Sequence, residues 1–70
     1  MGEILKAATE QELVDEQATL DAQIAKMQAF LNDAEAVQKV PMGEISLMNQ
    51  QLGSMRYISE ILGKRIALHN

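Results

Sequence analysis

The residues best suited to chemistry form a cationic and aromatic group in the last fifteen positions of the chain: Arg56, Tyr57, Lys64, Arg65 and His69. Arginine presents a planar fork of N–H donors that matches a phosphate or carboxylate, and a tyrosine ring offers a face on which a base can stack. The group therefore predicts a binding site for a small anionic ligand such as a nucleotide. The alternative is that these cations form salt bridges with Glu12 and Glu16 and complement the C-terminal end of a helix.

Catalytic and metal chemistry have less support in the sequence. Acidic residues cluster at positions 12–16 and 33–35, but no glycine-rich loop or histidine lies near them, so solvated helix faces explain them. The chain has no cysteine and a single histidine, His69, which excludes a zinc site with four Cys or His ligands. No phosphate-binding loop or His–Glu metal motif is present. We expect a protein that is not an enzyme and needs no cofactor.

Size and composition favour one small folded domain. The chain has 70 residues, of which 47% are hydrophobic, and a formal net charge of −4. A domain of this size buries only about 60% of its unfolded surface. Because neither disulfides nor a metal site can stabilise it, self-association is the remaining means.

The charge is distributed unevenly between the two halves. Residues 1–35 carry eight acidic and two basic residues, net −6, whereas residues 36–70 carry two acidic and four basic residues, net +2. The overall negative charge argues against nucleic acid as a partner, since phosphate contacts need a cationic surface. No signal peptide or membrane span is recognisable, so we expect a cytoplasmic protein without a membrane partner.

Helical periodicity predicts the elements that position these residues. A Thr9-Glu10-Gln11-Glu12 capping box starts the first helix, predicted over residues 10–38. Residues 39–43 form a hinge in which Pro41 suits the first helical position, and a second helix follows over residues 42–68. The fold class is all-α, an antiparallel two-helix hairpin over residues 10–70. Residues 1–9 are either an arm or a backward extension of the first helix.

The second helix has more apolar surface than one partner helix can bury. One stripe, from Ile45 to Ile66, faces the first helix, and a second stripe lies beside it: Leu47, Ile58, Ile61 and Leu68. An exposed stripe of this size usually marks an interface. We therefore predict a homo-oligomer, most simply a dimer that forms a four-helix bundle.

Two features inside the helices allow two interpretations each. Gln17 and Gln38 occupy positions of the apolar seam and either set its register or mark the end of the bundle. Gly53 and Gly63 each cost up to about 1 kcal/mol in a helix interior relative to alanine. They indicate either close approach of a neighbouring backbone or simple tolerance.

Several segments give the chain a family resemblance: residues 23–31, Val40-Pro41, residues 51–56 and residues 61–66. These resemble a family of very short helical-hairpin proteins of tailed bacteriophages and prophages, crAss-like phages among them. The likeness covers residues 13–67 and depends on hydrophobic spacing together with Phe30, Pro41, Gln51, Met55 and Arg65. The family usually has an aromatic residue where this chain has Ile58, with Tyr57 one position earlier. No functional residue is therefore carried over.

The resemblance implies a viral role. Small acidic phage proteins are often counter-defence factors, and some viral helical-hairpin oligomers of similar architecture sequester nucleotide signals of host immunity. The preferred hypothesis is a non-enzymatic oligomer that binds such a signal. One alternative is an inhibitor that binds a host defence protein through its acidic or apolar helix face. A second alternative is a structural coiled-coil protein used in assembly.

Overall fold

The computed structural model describes residues 9–69, and within them every regular element is a helix. Helix α1 covers Glu10–Leu31, the single turn α2 covers Ala34–Val37, and α3 covers Met42–Ala67. The long helices α1 and α3 pack antiparallel in an elongated molecule of 44 × 21 × 15 Å. Since one helix with its side chains is about 10–12 Å wide, these dimensions correspond to a single layer of two helices. The all-α hairpin predicted from the sequence is confirmed; the predicted arm at residues 1–9 lies outside the described residues except for Thr9.

The predicted capping box starts α1. The Glu12 backbone N–H donates to the Thr9 hydroxyl over 3.2 Å, and the Thr9 N–H donates to Glu12 Oε1 over 3.0 Å. Glu10 and Glu12 also place negative charge in the first turn, where the helix dipole favours it. Two amides that would lack a partner at the helix start are thereby satisfied.

The first helix ends at Leu31, seven residues before the predicted end at residue 38. Asp33 causes the break: its carboxylate accepts from the backbone N–H groups of Glu35 and Ala36 over 3.1 and 3.2 Å, and so caps the separate turn α2. A short acidic side chain offers the backbone an alternative to continued helix. The connection between the long helices therefore covers residues 32–41 rather than the predicted hinge 39–43.

The second long helix begins at Met42, with Pro41 in the cap position before it. The backbone of Pro41 is extended, at φ −61° and ψ 147°, so the proline does not occupy the first helical position that the sequence suggested. Glu44 lies in the first turn and Lys64 and Arg65 in the last, each at the end of the helix dipole that favours its charge.

The core is one narrow seam between the two helices. Four side chains of the described residues are buried hydrophobics: Leu13, Ile24, Leu52 and Leu62. Leu20, Ile58 and Ile66 are half-buried and pack against the Leu13–Leu62 pair. This corrects the prediction for Ile58, which was placed on the outward stripe. It lies one turn before Leu62 on the same side of α3, and therefore belongs to the edge of the core.

A polar contact crosses the same seam. Gln17 Nε2 on α1 donates to the main-chain carbonyl of Ser59 on α3 over 2.8 Å, and Ser59 Oγ donates to Asp21 Oδ1 over 2.6 Å. A Cβ at Gly63 would lie 3.2 Å from Gln17 Nε2, whereas one at Gly53 would meet nothing within 4 Å. Gly63 thus lies close to the Gln17 side chain and not to a neighbouring backbone, and Gly53 lies in open space. The contact between Gln17 and Ser59 favours the interpretation that Gln17 sets the register of the two helices.

Candidate functional site

Large apolar side chains are exposed along one side of α3 and at Leu68, the residue that caps its C-terminal end. The exposed fractions are 62% for Leu47, 64% for Tyr57, 38% for Ile61 and 86% for Leu68. The single layer of two helices accounts for this exposure, because α1 covers only the opposite side of α3. Three of the four side chains predicted for the second stripe, Leu47, Ile61 and Leu68, are therefore exposed.

The spacing of these residues is that of a helical heptad. Positions 47, 54, 61 and 68 recur every seven residues, and positions 50, 57 and 64 follow three residues after each of the first three. We call this set the outer stripe: Leu47, Gln50, Ser54, Tyr57, Ile61, Lys64 and Leu68. Gln50 and Ser54 were not among the residues predicted for the second stripe, although position 54 lies midway between Leu47 and Ile61 in the chain.

The structure brings only part of the predicted ligand-binding group onto one face. Tyr57 and Lys64 are both exposed and lie seven residues apart, so they differ in direction around α3 by only about 20°. Arg56 and Arg65 are nine residues apart, which on a helix places them on opposite sides, about 180° apart. Arg56 is exposed, Arg65 is half-buried, and His69 is exposed in the turn that follows α3. Within one chain, Tyr57 and Lys64 are therefore the pair that shares the outer stripe.

The acidic residues considered for catalysis mostly have structural roles. Glu12 belongs to the α1 capping box, Asp33 caps α2, and Asp15 accepts from Gln11 Nε2 over 2.8 Å on the surface of α1. Glu16 differs, because its Oε2 atom is buried and has no hydrogen-bond partner. An acceptor that is shielded from solvent without a partner costs free energy, so we expect Glu16 to destabilise the hairpin.

Two features are absent from residues 9–69, a metal-binding group and a membrane-spanning helix. They contain no group of three or more His, Cys, Asp or Glu side chains that could hold a metal ion. No helix in this part of the chain is both long and apolar enough to cross a lipid bilayer.

Fold and surface together define a small all-α hairpin protein whose longer helix exposes an apolar stripe with one tyrosine and one lysine on it. A family model named Sequestin matches residues 7–68, nearly the whole chain. The chain therefore belongs to the Sequestin family. No curated protein and no solved structure gives a match.

Proposed function

We propose that this chain is a non-enzymatic sequestering protein that works as a homo-oligomer and holds a small anionic nucleotide. The observation that carries the proposal is the outer stripe, which exposes four large apolar side chains together with Lys64. The family name supports sequestration, which needs binding alone. Binding without chemistry also agrees with carboxylates that serve as helix caps.

Self-association follows from the amount of apolar surface exposed. With about 200 Å² for a fully exposed large side chain, the four exposed fractions correspond to roughly 500 Å² per chain. Exposed apolar patches of this size on a small protein usually belong to an interface. A second copy of the chain supplies a surface of matching size and character.

The ligand class follows from the residues on and beside the stripe. A nucleotide combines an anionic phosphate, which lysine and arginine bind, with a planar base, which a tyrosine face can stack. Tyr57 and Lys64 supply both functions on one face, and symmetry in an oligomer repeats them. Arg56, Arg65 and His69 of neighbouring copies are the further cations that complete the site in this proposal.

The biological setting proposed is counter-defence in the cytoplasm of a bacterial host. A phage-encoded protein that binds a nucleotide signal lowers its free concentration and so prevents activation of the immune effector. Saturating, stoichiometric binding is sufficient for this role, provided that the protein is made in excess of the signal.

Calorimetry with a panel of cyclic nucleotides and ADP-ribose derivatives tests the proposal. We expect binding of at least one member, and recovery of the ligand unchanged in mass after the protein is denatured. Lys64→Gln should weaken that binding by about tenfold, the loss of one charge-assisted hydrogen bond. The control Lys26→Gln, at an exposed lysine of α1, should not alter it. Absence of heat with every member, or conversion of the ligand, would overturn the proposal.

The exposed stripe also supports a second candidate, an inhibitor that docks on a host defence enzyme. In that case the apolar side chains of α3 bury against a different protein instead of a second copy. Light scattering separates the two: the second candidate predicts a single chain that remains monomeric until the host protein is added. A stable oligomer of the purified chain favours the first.

A further inference from the structure

Positions 47, 54, 61 and 68 of the outer stripe are placed symmetrically along the helix. Leucines occupy its two ends at positions 47 and 68, Ser54 and Ile61 are symmetric about its middle, and Tyr57 lies at the centre. A helix surface of this kind can pair with a copy of itself about a two-fold axis perpendicular to the helix.

We infer that two copies associate through their outer stripes with the α3 helices antiparallel and the two-fold axis between Tyr57 and Ile58. This rests on the homo-oligomer of the proposed function and specifies its geometry. Leu47 of one copy then packs against Leu68 of the other, and the small Ser54 faces the larger Ile61. Tyr57 of each copy lies near the axis, so both copies contribute a ring to the centre of the interface, where the base of the proposed nucleotide would stack beside them.

Charge and packing both favour the antiparallel arrangement over the parallel one. Parallel pairing in register would place Lys64 against Lys64 of the second copy, and juxtaposed like charges are costly at an interface. It would also place Ser54 against Ser54, which leaves a gap in the interface, and Ile61 against Ile61, which crowds it. In the antiparallel pair Lys64 lies level with the uncharged Gln51 of the second copy, and the small Ser54 faces the larger Ile61.

The area is sufficient for a specific dimer. Two outer stripes supply roughly 1,000 Å² of apolar side-chain surface, about the smallest total that specific protein–protein interfaces bury. Polar neighbours along the stripe add to this total. A dimer built in this way becomes a four-helix arrangement in which the α3 helices form the centre and the α1 helices the outside.

Disulfide trapping tests the geometry, because the natural chain has no cysteine. A disulfide requires Cα atoms within about 7 Å of each other. In the antiparallel pair, Ser54→Cys and Ile61→Cys chains mixed together should form the mixed dimer. The Ser54→Cys chain alone should not form a disulfide-linked dimer, because the two copies of Cys at position 54 would lie on the order of 10 Å apart along the helix axis. Intact mass spectrometry distinguishes the products, and Ala18→Cys, on the exposed surface of α1, is the control.

The outcomes separate this inference from the proposed function. Efficient self-linking of Ser54→Cys indicates parallel helices and overturns the inference. The inference is also overturned if the Ser54→Cys and Ile61→Cys chains do not link to each other while native mass spectrometry still shows an oligomer. In both cases calorimetry on the unmodified chain decides the proposed function independently, since nucleotide binding by the oligomer is measured without any cysteine.

Discussion

Gln17 on α1 donates a hydrogen bond across the hairpin to the main-chain carbonyl of Ser59 on α3, with Nε2 and the oxygen 2.8 Å apart. The bond is part-buried and joins residues 42 positions apart in the chain. A side-chain amide that reaches a helix carbonyl in this way fixes both the distance and the axial alignment of the two helices. The Ser59 hydroxyl adds a second link to Asp21, so one turn of α3 is joined to two successive turns of α1.

Removal of the Gln17 amide should destabilise the hairpin. We expect Gln17→Ala to lower the free energy of unfolding by about 1 kcal/mol, the net value of a typical intramolecular hydrogen bond. Urea denaturation followed by circular dichroism, at one fixed protein concentration, measures the change. Gln23→Ala removes the same side chain from the exposed surface of α1 and should change the stability little. Equal effects of the two variants would show that the hydrogen bond between Gln17 and Ser59 adds nothing to the stability of the hairpin.

The two glycines of α3 should respond differently to alanine. Gly53→Ala should raise the free energy of unfolding by about 0.5–1 kcal/mol, because the position is open and alanine favours helix. Gly63→Ala should gain less, since its Cβ would lie 3.2 Å from Gln17 Nε2 and displace the amide. The deficit should disappear when Gln17 is already alanine, which a double-mutant cycle in urea detects. If Gly63→Ala still gains less stability than Gly53→Ala when residue 17 is alanine, the Gln17 amide is not the cause of the difference.

The buried Glu16 oxygen should reduce the stability of the hairpin. Its Oε2 atom is shielded from solvent without a hydrogen-bond partner, and an unsatisfied buried acceptor costs about 1–3 kcal/mol. Glu16→Met removes the acceptor and keeps a long flexible side chain, so we expect the thermal midpoint to rise. Glu60→Met, at an exposed site on α3, removes the same charge and serves as the control. A lower midpoint for Glu16→Met would contradict this account of the carboxylate.

A charge in the middle of the outer stripe should prevent association. We expect Ile61→Lys to convert the oligomer into single chains, because the lysine would have to be buried in the interface without a partner. Sedimentation velocity measures the change in mass. Met42→Lys places the same charge at a more exposed apolar residue, 85% against 38%, that lies outside the stripe. Association retained by Ile61→Lys, or lost equally in both variants, would argue against the stripe as the interface.

Local signals allowed the elements to be predicted from the sequence, within limits set by short-range competition. The capping box at Thr9 and Glu12 involves residues three positions apart, and it formed as expected. The end of α1 was predicted wrongly because apolar spacing continues past Asp33, while the carboxylate of that residue offers its own hydrogen bonds to the next amides. Spacing alone does not decide which of two local alternatives is lower in free energy.

The sequence was enough to predict an exposed apolar stripe on α3, but only part of its geometry. The existence of an outward apolar stripe followed from the width of the apolar surface on α3. Its membership depended on the rotation of α3 against α1, which turned Ile58 inward toward Leu62. The opposite directions of Arg56 and Arg65 around α3, in contrast, follow from their spacing of nine residues on a helix.

Short-range patterns in the chain were enough to specify an all-helical hairpin with an acidic first half and a cationic end, since helix formation and capping depend on residues a few positions apart. Packing of the two helices was needed to establish that Gln17 reaches Ser59, that Gly63 lies close to that amide, and that Ile58 joins the core. Contacts between residues more than forty positions apart depend on the relative rotation and axial shift of two packed helices, which no local pattern encodes.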